Sequence, residues 1–281
     1  MIFMKKVVTI QDISCFGKCS LTVALPIISA MGAEAAVIPT AVLSTHTAFP
    51  SFTFCDLTKE IAPICEHWKS AGIDFDAIYT GYLGSFEQIE LTEKLIADFK
   101  TEKTVVVVDP AMADGGKLYK GFTEAFAKRM GLLCGKADVI VPNITEASFM
   151  LGVPYVGEGY SEEYIKDMLV KLTELGCKTA VLTGVSFEEG KLGVMAYNSE
   201  SGEYFSYFRE RIPESYHGTG DVYASTFVGA LMRGRSVEDA LMVATDYTVE
   251  CIKSTVKNSP DRKYGVNFEE LVPYLVDRMD K

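Results

Sequence analysis

The chain has 281 residues, 48% of them hydrophobic and 23% charged, the balance of an ordinary globular chain, which excludes disordered, collagen-like and coiled-coil sequences. Its 27 basic and 38 acidic residues leave a formal net charge of −11 with no long run of either sign. Such a surface repels phosphate backbones and anionic lipid, so neither a nucleic acid nor a membrane is expected as partner, while a small anion can still be met by a local site.

The elements follow in chain order as short β-branched runs, each followed by a segment of helical period. Val7–Ile10 leads to a helix over about Ser20–Met31, and Ala35–Ile38 runs through a Thr/Ser-rich stretch to a helix over Leu57–Ser70. Asp76–Tyr79 precedes a helix at Phe86–Phe99, and four valines at 105–108 precede one at Gly121–Leu133. Val139–Val141 comes before Glu146–Leu151 and a helix at Ser161–Leu175, and Thr179–Leu182 follows. Continuous apolar runs of four suit parallel strands buried on both faces, and their alternation with helices implies βαβ units. Gly193–Tyr197 and Tyr204–Phe208 flank Asn198-Ser199-Glu200-Ser201-Gly202, a hairpin signal, and helices at Gly220–Arg233, Val237–Val256 and Phe268–Met279 close the chain. No linker-like stretch interrupts the pattern. The expectation is one α/β domain over 1–281 with an antiparallel hairpin at its sheet edge.

Seven cysteines at 15, 19, 55, 65, 134, 177 and 251 form no CxxC pair, and only three histidines accompany them. A zinc cluster lacks ligands at workable spacing, and the thiols read as small core residues of a reducing compartment. Cys15 and Cys19 are read as structural, and His67-Trp68 as helix packing. The apolar stretch at Val7–Ile10 is too short for a signal-peptide core, and no run reaches the ~18 residues of a membrane span. A cytoplasmic location is expected.

Common nucleotide and hydrolase signatures (GxGxxG, GxxxxGK[ST], HExxH, GxSxG) are absent. The informative segment is His217-Gly218-Thr219-Gly220-Asp221, two glycines framing a threonine at a helix start. Such a turn leaves backbone N–H groups free to meet an anion. An acid beside that anion is electrostatically odd unless it takes a proton from an attacking hydroxyl, the alternative being compensation of the helix dipole. Polar residues also gather at the strand ends: Gln11-Asp12, Gly81-Tyr82, Asp109-Pro110, Pro142-Asn143 with Glu146, and Thr183-Gly184. Ligands of α/β sheets sit at those carboxyl ends. Asn143 and Glu146, three apart at a helix start, can both face the water shell of a Mg2+ ion, which prefers oxygen ligands.

These residues carry a resemblance. Gly218-Thr219-Gly220-Asp221 resembles the GTGD motif of the ribokinase-like superfamily, and Asn143-x-x-Glu146 its NxxE motif. Ile10-Gln11, Phe16-Gly17, Ser44-Thr45-His46-Thr47, Thr80-Gly81-Tyr82-Leu83-Gly84-Ser85 and Asp109-Pro110-Ala111-Met112 resemble, in the same order, segments of the pyridoxal kinases. The resemblance spans about residues 5–256. It implies a three-layer αβα fold with a mostly parallel central sheet, a small β flap at Ala41–Phe54 and the edge hairpin. It implies ATP-dependent phosphorylation of the 5′-hydroxymethyl group of vitamin B6 forms (pyridoxal, pyridoxamine, pyridoxine), with Mg2+, K+ as a candidate monovalent ion, and a homodimer.

The resemblance also assigns roles. Asp221 matches the catalytic base, and Gly218, Thr219 and Gly220 the anion hole around the transferred phosphoryl. Asp109 and Glu146 match positions near the metal and the ATP phosphates, supported by Asn143, and Asp114 matches a loop acid approaching those phosphates. Asp12, Ser14, His46, Thr47 and Tyr82 match the substrate pocket, and Thr183, Ser215 and His217 lie along the nucleotide. Two positions depart from the pattern: Asp12 stands where serine is usual, which bears on vitamer preference, and Ala113 replaces a loop glycine, which stiffens the loop. The rivals are a hydroxymethylpyrimidine or sugar kinase of the same superfamily, whose Gly-Ser-Asp-Pro-like first loop Asp12–Lys18 lacks, and a non-catalytic ligand sensor, which has no need of Asp221.

Overall fold

The computed structural model describes residues 4–259 and 264–280. They divide into two compact units, Met1–Tyr79 with Ile212–Lys281 and Thr80–Arg211. The first unit opens with β1 (Lys6–Ser14), α1 (Leu21–Ala30), β2 (Glu34–Leu43), β3 (Phe54–Asp56), α2 (Thr58–Ser70) and β4 (Ala77–Thr80). Its strands lie in the order β4-β1-β2-β3. β1 and β2 are parallel from Lys6↔Glu34 to Gln11↔Pro39, and the register slips before Ile13↔Val42. The slip lets β1 run on to Ser14, so Gln11 and Asp12 lie inside a buried strand and not at the strand end that the sequence suggests. A bulge of this kind re-aims a side chain, here Asp12. The flap is the end of β2 with the short β3, paired antiparallel at Ala41↔Asp56 and Leu43↔Phe54.

The second unit holds α3 (Phe86–Phe99), β5 (Val105–Val108), β6 (Ala113–Asp114), β7 (Lys117–Leu118), α4 (Glu124–Cys134), β8 (Val139–Ile140), α5 (Ile144–Leu151), α6 (Glu162–Glu174), β9 (Thr179–Val185), β10 (Lys191–Asn198) and β11 (Tyr204–Glu210). β5, β8 and β9 pair in parallel, and β9, β10 and β11 antiparallel. Valines 106–108 are wholly buried, as a run of four valines in a two-sided sheet requires. The edge hairpin is present as expected: Asn198 Oδ1 accepts the Glu200 and Ser201 N–H groups at 2.9 and 3.1 Å and closes the turn. Ser85, Thr123 and Ser161 cap α3, α4 and α6 by accepting an N–H three residues on. The cap at Thr123 starts α4 at Glu124, three residues beyond the Gly121 expected from periodicity. β9 runs on to Val185, so Thr183 lies within the strand.

The chain returns to the first unit with α7 (Thr219–Met232), α8 (Val237–Asn258), a 3-10 turn at Glu269–Leu271 and α9 (Val272–Met279). Every residue from Val222 to Ala230 of α7 is buried; a helix apolar on all sides is held by packing around it. Gly229 lets Met31 pack on α7: a Cβ there would stand 2.3 Å from the Met31 sulfur. This packing fixes where the N-terminus of α7 points.

Candidate active site

In the first unit the site is built from the loop after β1, the flap and the start of α7. Gly218 caps α7 at φ 80°, and Val222 N–H reaches its carbonyl at 3.0 Å. The N–H groups of Thr219, Gly220 and Asp221 therefore have no partner within the helix. Thr219 Oγ1 donates to the Tyr216 carbonyl at 3.2 Å, which closes the turn from behind. Gly218 is required by close approach, since a Cβ would lie 1.9 Å from the Lys18 carbonyl oxygen. Gly220 is different: a Cβ there meets nothing within 4 Å. The turn thus opens on free space, which fits an anion.

Asp221 sits in the first helical turn. Burial pushes its carboxyl up to about 7, with the charge of Asp12 adding to the rise and a hydrogen bond from the Ser20 N–H opposing it. Asp12 is also raised by burial, against hydrogen bonds from Ser20 Oγ at 2.6 Å and Ser14 Oγ at 3.2 Å. Both Asp12 oxygens are therefore engaged, one by Ser14 at the end of β1 and one by Ser20 just before α1. His46 is buried and stacks on His217, ring centroids 4.2 Å apart at 28°. Burial and the neighbouring His46 lower the His217 imidazole to about 4, and burial lowers His46 as well. Both shifts favour the neutral imidazoles, and the His46 ring is enclosed by Gly17, Phe49 and His217. Thr47 and Ser215 lie exposed beside these rings in sequence.

In the second unit Asp109 follows β5 directly, nearly buried, its N–H bonded to the Thr80 carbonyl at 3.0 Å. Asn143 and Glu146 form a reciprocal capping box at the start of α5. Asn143 Oδ1 accepts the Glu146 N–H and Glu146 Oε2 accepts the Asn143 N–H, both at 2.9 Å. The same two side chains tie down the segment after β5: Met112 N–H donates to Glu146 Oε1 at 3.0 Å, and Asn143 Nδ2 donates to the Ala113 carbonyl at 2.8 Å. Burial raises the Glu146 carboxyl, three backbone N–H groups oppose the rise, and the charge of Asp114 adds to it. Asp114 is exposed where β6 turns through Gly115 and Gly116 into β7. Thr183 bonds the Pro142 carbonyl through its N–H at 3.0 Å, next to the capping box. Tyr82 packs against Phe122, centroids 5.5 Å apart.

The first unit thus gathers Asp12, Ser14, His46, His217 and Gly218–Asp221, and the second gathers Asp114, Asn143 and Glu146 with Asp109 just after β5 and Thr183 within β9. Ser20 joins the first cluster unannounced by any motif, and Gly17 joins it from the Phe16-Gly17 segment. Gly17 has φ 116°, and a Cβ on it would stand 2.3 Å from the His46 ring. Among the described residues no group of three or more His, Cys, Asp or Glu is placed to hold a metal by itself. Asp109 and Glu146, the acids that the resemblance places near a metal, are both buried and offer only carboxylate oxygens, and a buried, raised carboxylate such as Glu146 gains from a nearby cation. That suits Mg2+, which uses one or two carboxylates and takes its other ligands from phosphates and water. Replacing Glu146 with Ala strands the Met112 and Asn143 N–H groups, and the expected loss of stability is about 2–4 kcal/mol by urea denaturation. Glu146→Gln, which keeps one acceptor oxygen, is expected to lose less.

An anion turn followed at once by an acid, on a parallel α/β frame, defines a small-molecule kinase of the ribokinase-like superfamily. The family model described as phosphomethylpyrimidine kinase matches residues 25–265, and the chain belongs to that family. Several of the proteins it resembles are pyridoxal or pyridoxine kinases. Pyridoxal kinase from Lactobacillus plantarum is 30% identical, with a TM-score of 0.89 over 98% of each chain. A Bacteroides thetaiotaomicron protein provisionally described as a phosphomethylpyrimidine kinase, solved with pyridoxal, is 38% identical, with a TM-score of 0.91 over 99% of this chain and 96% of the other. Pyridoxine kinase from Bacillus subtilis is 28% identical over 75% of this chain and 73% of its own. The resemblance to pyridoxal kinases is borne out, as is a three-layer α/β fold with a mostly parallel sheet.

Proposed function

We propose that this kinase transfers the γ-phosphoryl of ATP to the 5′-hydroxymethyl group of a vitamin B6 form, with Asp221 as the base. The observation that carries the reading is the half-buried carboxyl of Asp221, raised to about 7, in the first turn of a helix whose opening N–H groups are unpaired. A base titrating near the working pH takes a proton from an alcohol at little cost and keeps its charge long enough to do so. The N–H groups of Thr219 and Gly220 meet the charge that develops on the transferred phosphoryl. Asp12, Ser14, His46, Thr47 and Tyr82 are the acceptor residues. In the second unit Asp109 and Glu146 would hold the divalent ion, Asn143 orients Glu146, and Asp114 and Thr183 serve the nucleotide, as the segment Ser215–His217 does in the first unit. Mg2+, when bound, neutralises phosphate charge.

The family description and the pyridine-ring names of the relatives leave the pyrimidine as the rival acceptor. The pyridoxal and pyridoxine kinases among the relatives favour the pyridine. A cytoplasmic location is supported by the seven free thiols, five of them buried, and by the absence, among the described residues, of a helix long and apolar enough to cross a membrane. A homodimer is supported by the flap, where Phe52 and Phe54 are 41% and 53% exposed; such apolar surface marks an interface.

The test is ADP release by the purified protein with pyridoxal, pyridoxamine, pyridoxine, hydroxymethylpyrimidine and ribose offered singly, with Mg2+ present and withheld, in K+ buffer. Turnover with at least one vitamer, dependent on Mg2+ and exceeding that with the other two acceptors, is expected. Turnover with ribose or hydroxymethylpyrimidine alone contradicts the reading.

A further inference from the structure

Three side chains at the start of α5 each hold a different residue of the segment after β5. Glu146 accepts the Met112 N–H, Asn143 donates to the Ala113 carbonyl, and Thr145 Oγ1 accepts the Gly116 N–H at 3.0 Å. The first two side chains also cap the helix, whereas Thr145 has no part in the capping box. Thr145 is buried, so its hydroxyl is placed for this one contact with the β6–β7 turn. Gly115 and Gly116 make that two-residue turn at φ 55° and 77°, the shape that matches the twist of a hairpin. Gly116 is fixed by close approach as well, since a Cβ there would stand 2.7 Å from the Tyr155 ring. Tyr155 comes from the loop between α5 and α6. The turn is therefore held by a hydrogen bond from α5 and by a ring from the loop that follows it.

What the turn presents is a pair of charges. Asp114 and Lys117 face each other across it, and residues directly opposite in an antiparallel pair set their side chains on one face. Both are exposed. Asp114 Oδ1 is engaged by the Gly115 N–H at 2.8 Å, and no ion pair among the described residues takes up the Lys117 ammonium. Asp109, Asp114 and Glu146 would together repel a polyphosphate, and one divalent ion does not offset them all. A lysine on the same hairpin face supplies a further cation, and an ammonium is a ready phosphate partner.

We propose that Thr145 is a positioning residue for the nucleotide: by accepting the Gly116 N–H, with Tyr155 packed against the same glycine, it fixes the β6–β7 turn so that Lys117 meets the bound phosphates. The proposal rests on the reading that seats those phosphates near Asp109, Asp114 and Glu146. It gives the helix start three separate holds on the hairpin, of which Thr145 is the one nearest the tip.

Thr145→Val removes the acceptor and keeps the shape, and Thr145→Ser keeps the acceptor. Wild type, both Thr145 variants and Lys117→Met are titrated by calorimetry with the Mg2+ complex of a non-hydrolysable ATP analogue. Steady-state KM values for ATP and for the best vitamer are measured alongside, with thermal unfolding in parallel. Thr145→Val is expected to weaken analogue binding about fivefold, the scale of one hydrogen bond, and to raise the KM for ATP while the KM for the vitamer stays nearly unchanged. Thr145→Ser is expected to bind close to wild type. Lys117→Met, an exposed change, is expected to weaken binding by about tenfold or more, as the loss of a charged contact does, without a change in melting temperature. Thr145→Val and Thr145→Ser impaired alike, Thr145→Val binding the analogue as wild type does, or Lys117→Met doing so, each overturns the proposal. A wild type that binds the analogue yet turns over no vitamer overturns the acceptor reading instead, and the binding series still decides the role of Thr145. A wild type that does not bind the analogue overturns both.

Discussion

Asp221→Asn is expected to lose about 10²–10⁴ of the turnover while ATP binding holds or tightens, because the variant lacks the proton acceptor and one negative charge beside the phosphates. Its stability should change with pH in a stated direction. The folded chain raises Asp221 to about 7 from an ordinary 3.8. The folded state therefore binds this proton more tightly than the unfolded chain, and the contribution is fully present below the unfolded value. It is lost as pH rises towards 7, above which the buried charge is a net cost. Asparagine removes that cost, so the variant should melt higher than wild type at pH 8 and close to it at pH 4. A residue kept only to compensate the helix dipole predicts the reverse: near-normal turnover and a destabilised variant at pH 8.

Gly218→Ala should be the most damaging substitution of the turn. The new Cβ would meet a carbonyl oxygen at 1.9 Å, at φ 80°, and the obstacle is backbone, which cannot swing aside. A loss of about 2–4 kcal/mol is expected, with turnover down by about 10²-fold or more as the N–H donors are displaced. Gly220→Ala provides the contrast, since its Cβ meets nothing within 4 Å. Within a helix it should be as stable as wild type or more so, and still impair turnover by filling the space the phosphoryl group needs. Equal activity of Gly220→Ala and wild type would show that no anion sits against the turn.

The parts of the site legible in the sequence are those whose chemistry is local. A helix start with unpaired N–H groups needs its glycines and its acid within four residues, so Gly218–Asp221 reads directly. Asn143 and Glu146 read as a pair for the same reason, although their contacts are those of a capping box that also anchors Met112 and Ala113. The edge hairpin was marked by Asn198 and Gly202. Contacts between distant segments were not legible. Ser20 reads as the start of a helix, and its bond to Asp12 exists only because the loop after β1 folds back on the strand. The extension of β1 to Ser14 depends on its register with β2, which no local pattern encodes. The stacking of His46 on His217 joins segments 171 positions apart, counted from their numbers. The turn at Gly115-Gly116 did carry a hairpin signal, but two-residue strands give periodicity nothing to work on, and the segment read as a loop.

The most direct measurement is mass spectrometry of the products formed from one mixture of ATP, Mg2+, the three vitamers, hydroxymethylpyrimidine and ribose, with wild type and Asp221→Asn run side by side. The account predicts vitamer 5′-phosphate from the wild type and essentially none from the variant over the same interval. A phosphorylated pyrimidine or sugar as the sole product, or equal yields of vitamer phosphate from the two proteins, would contradict it.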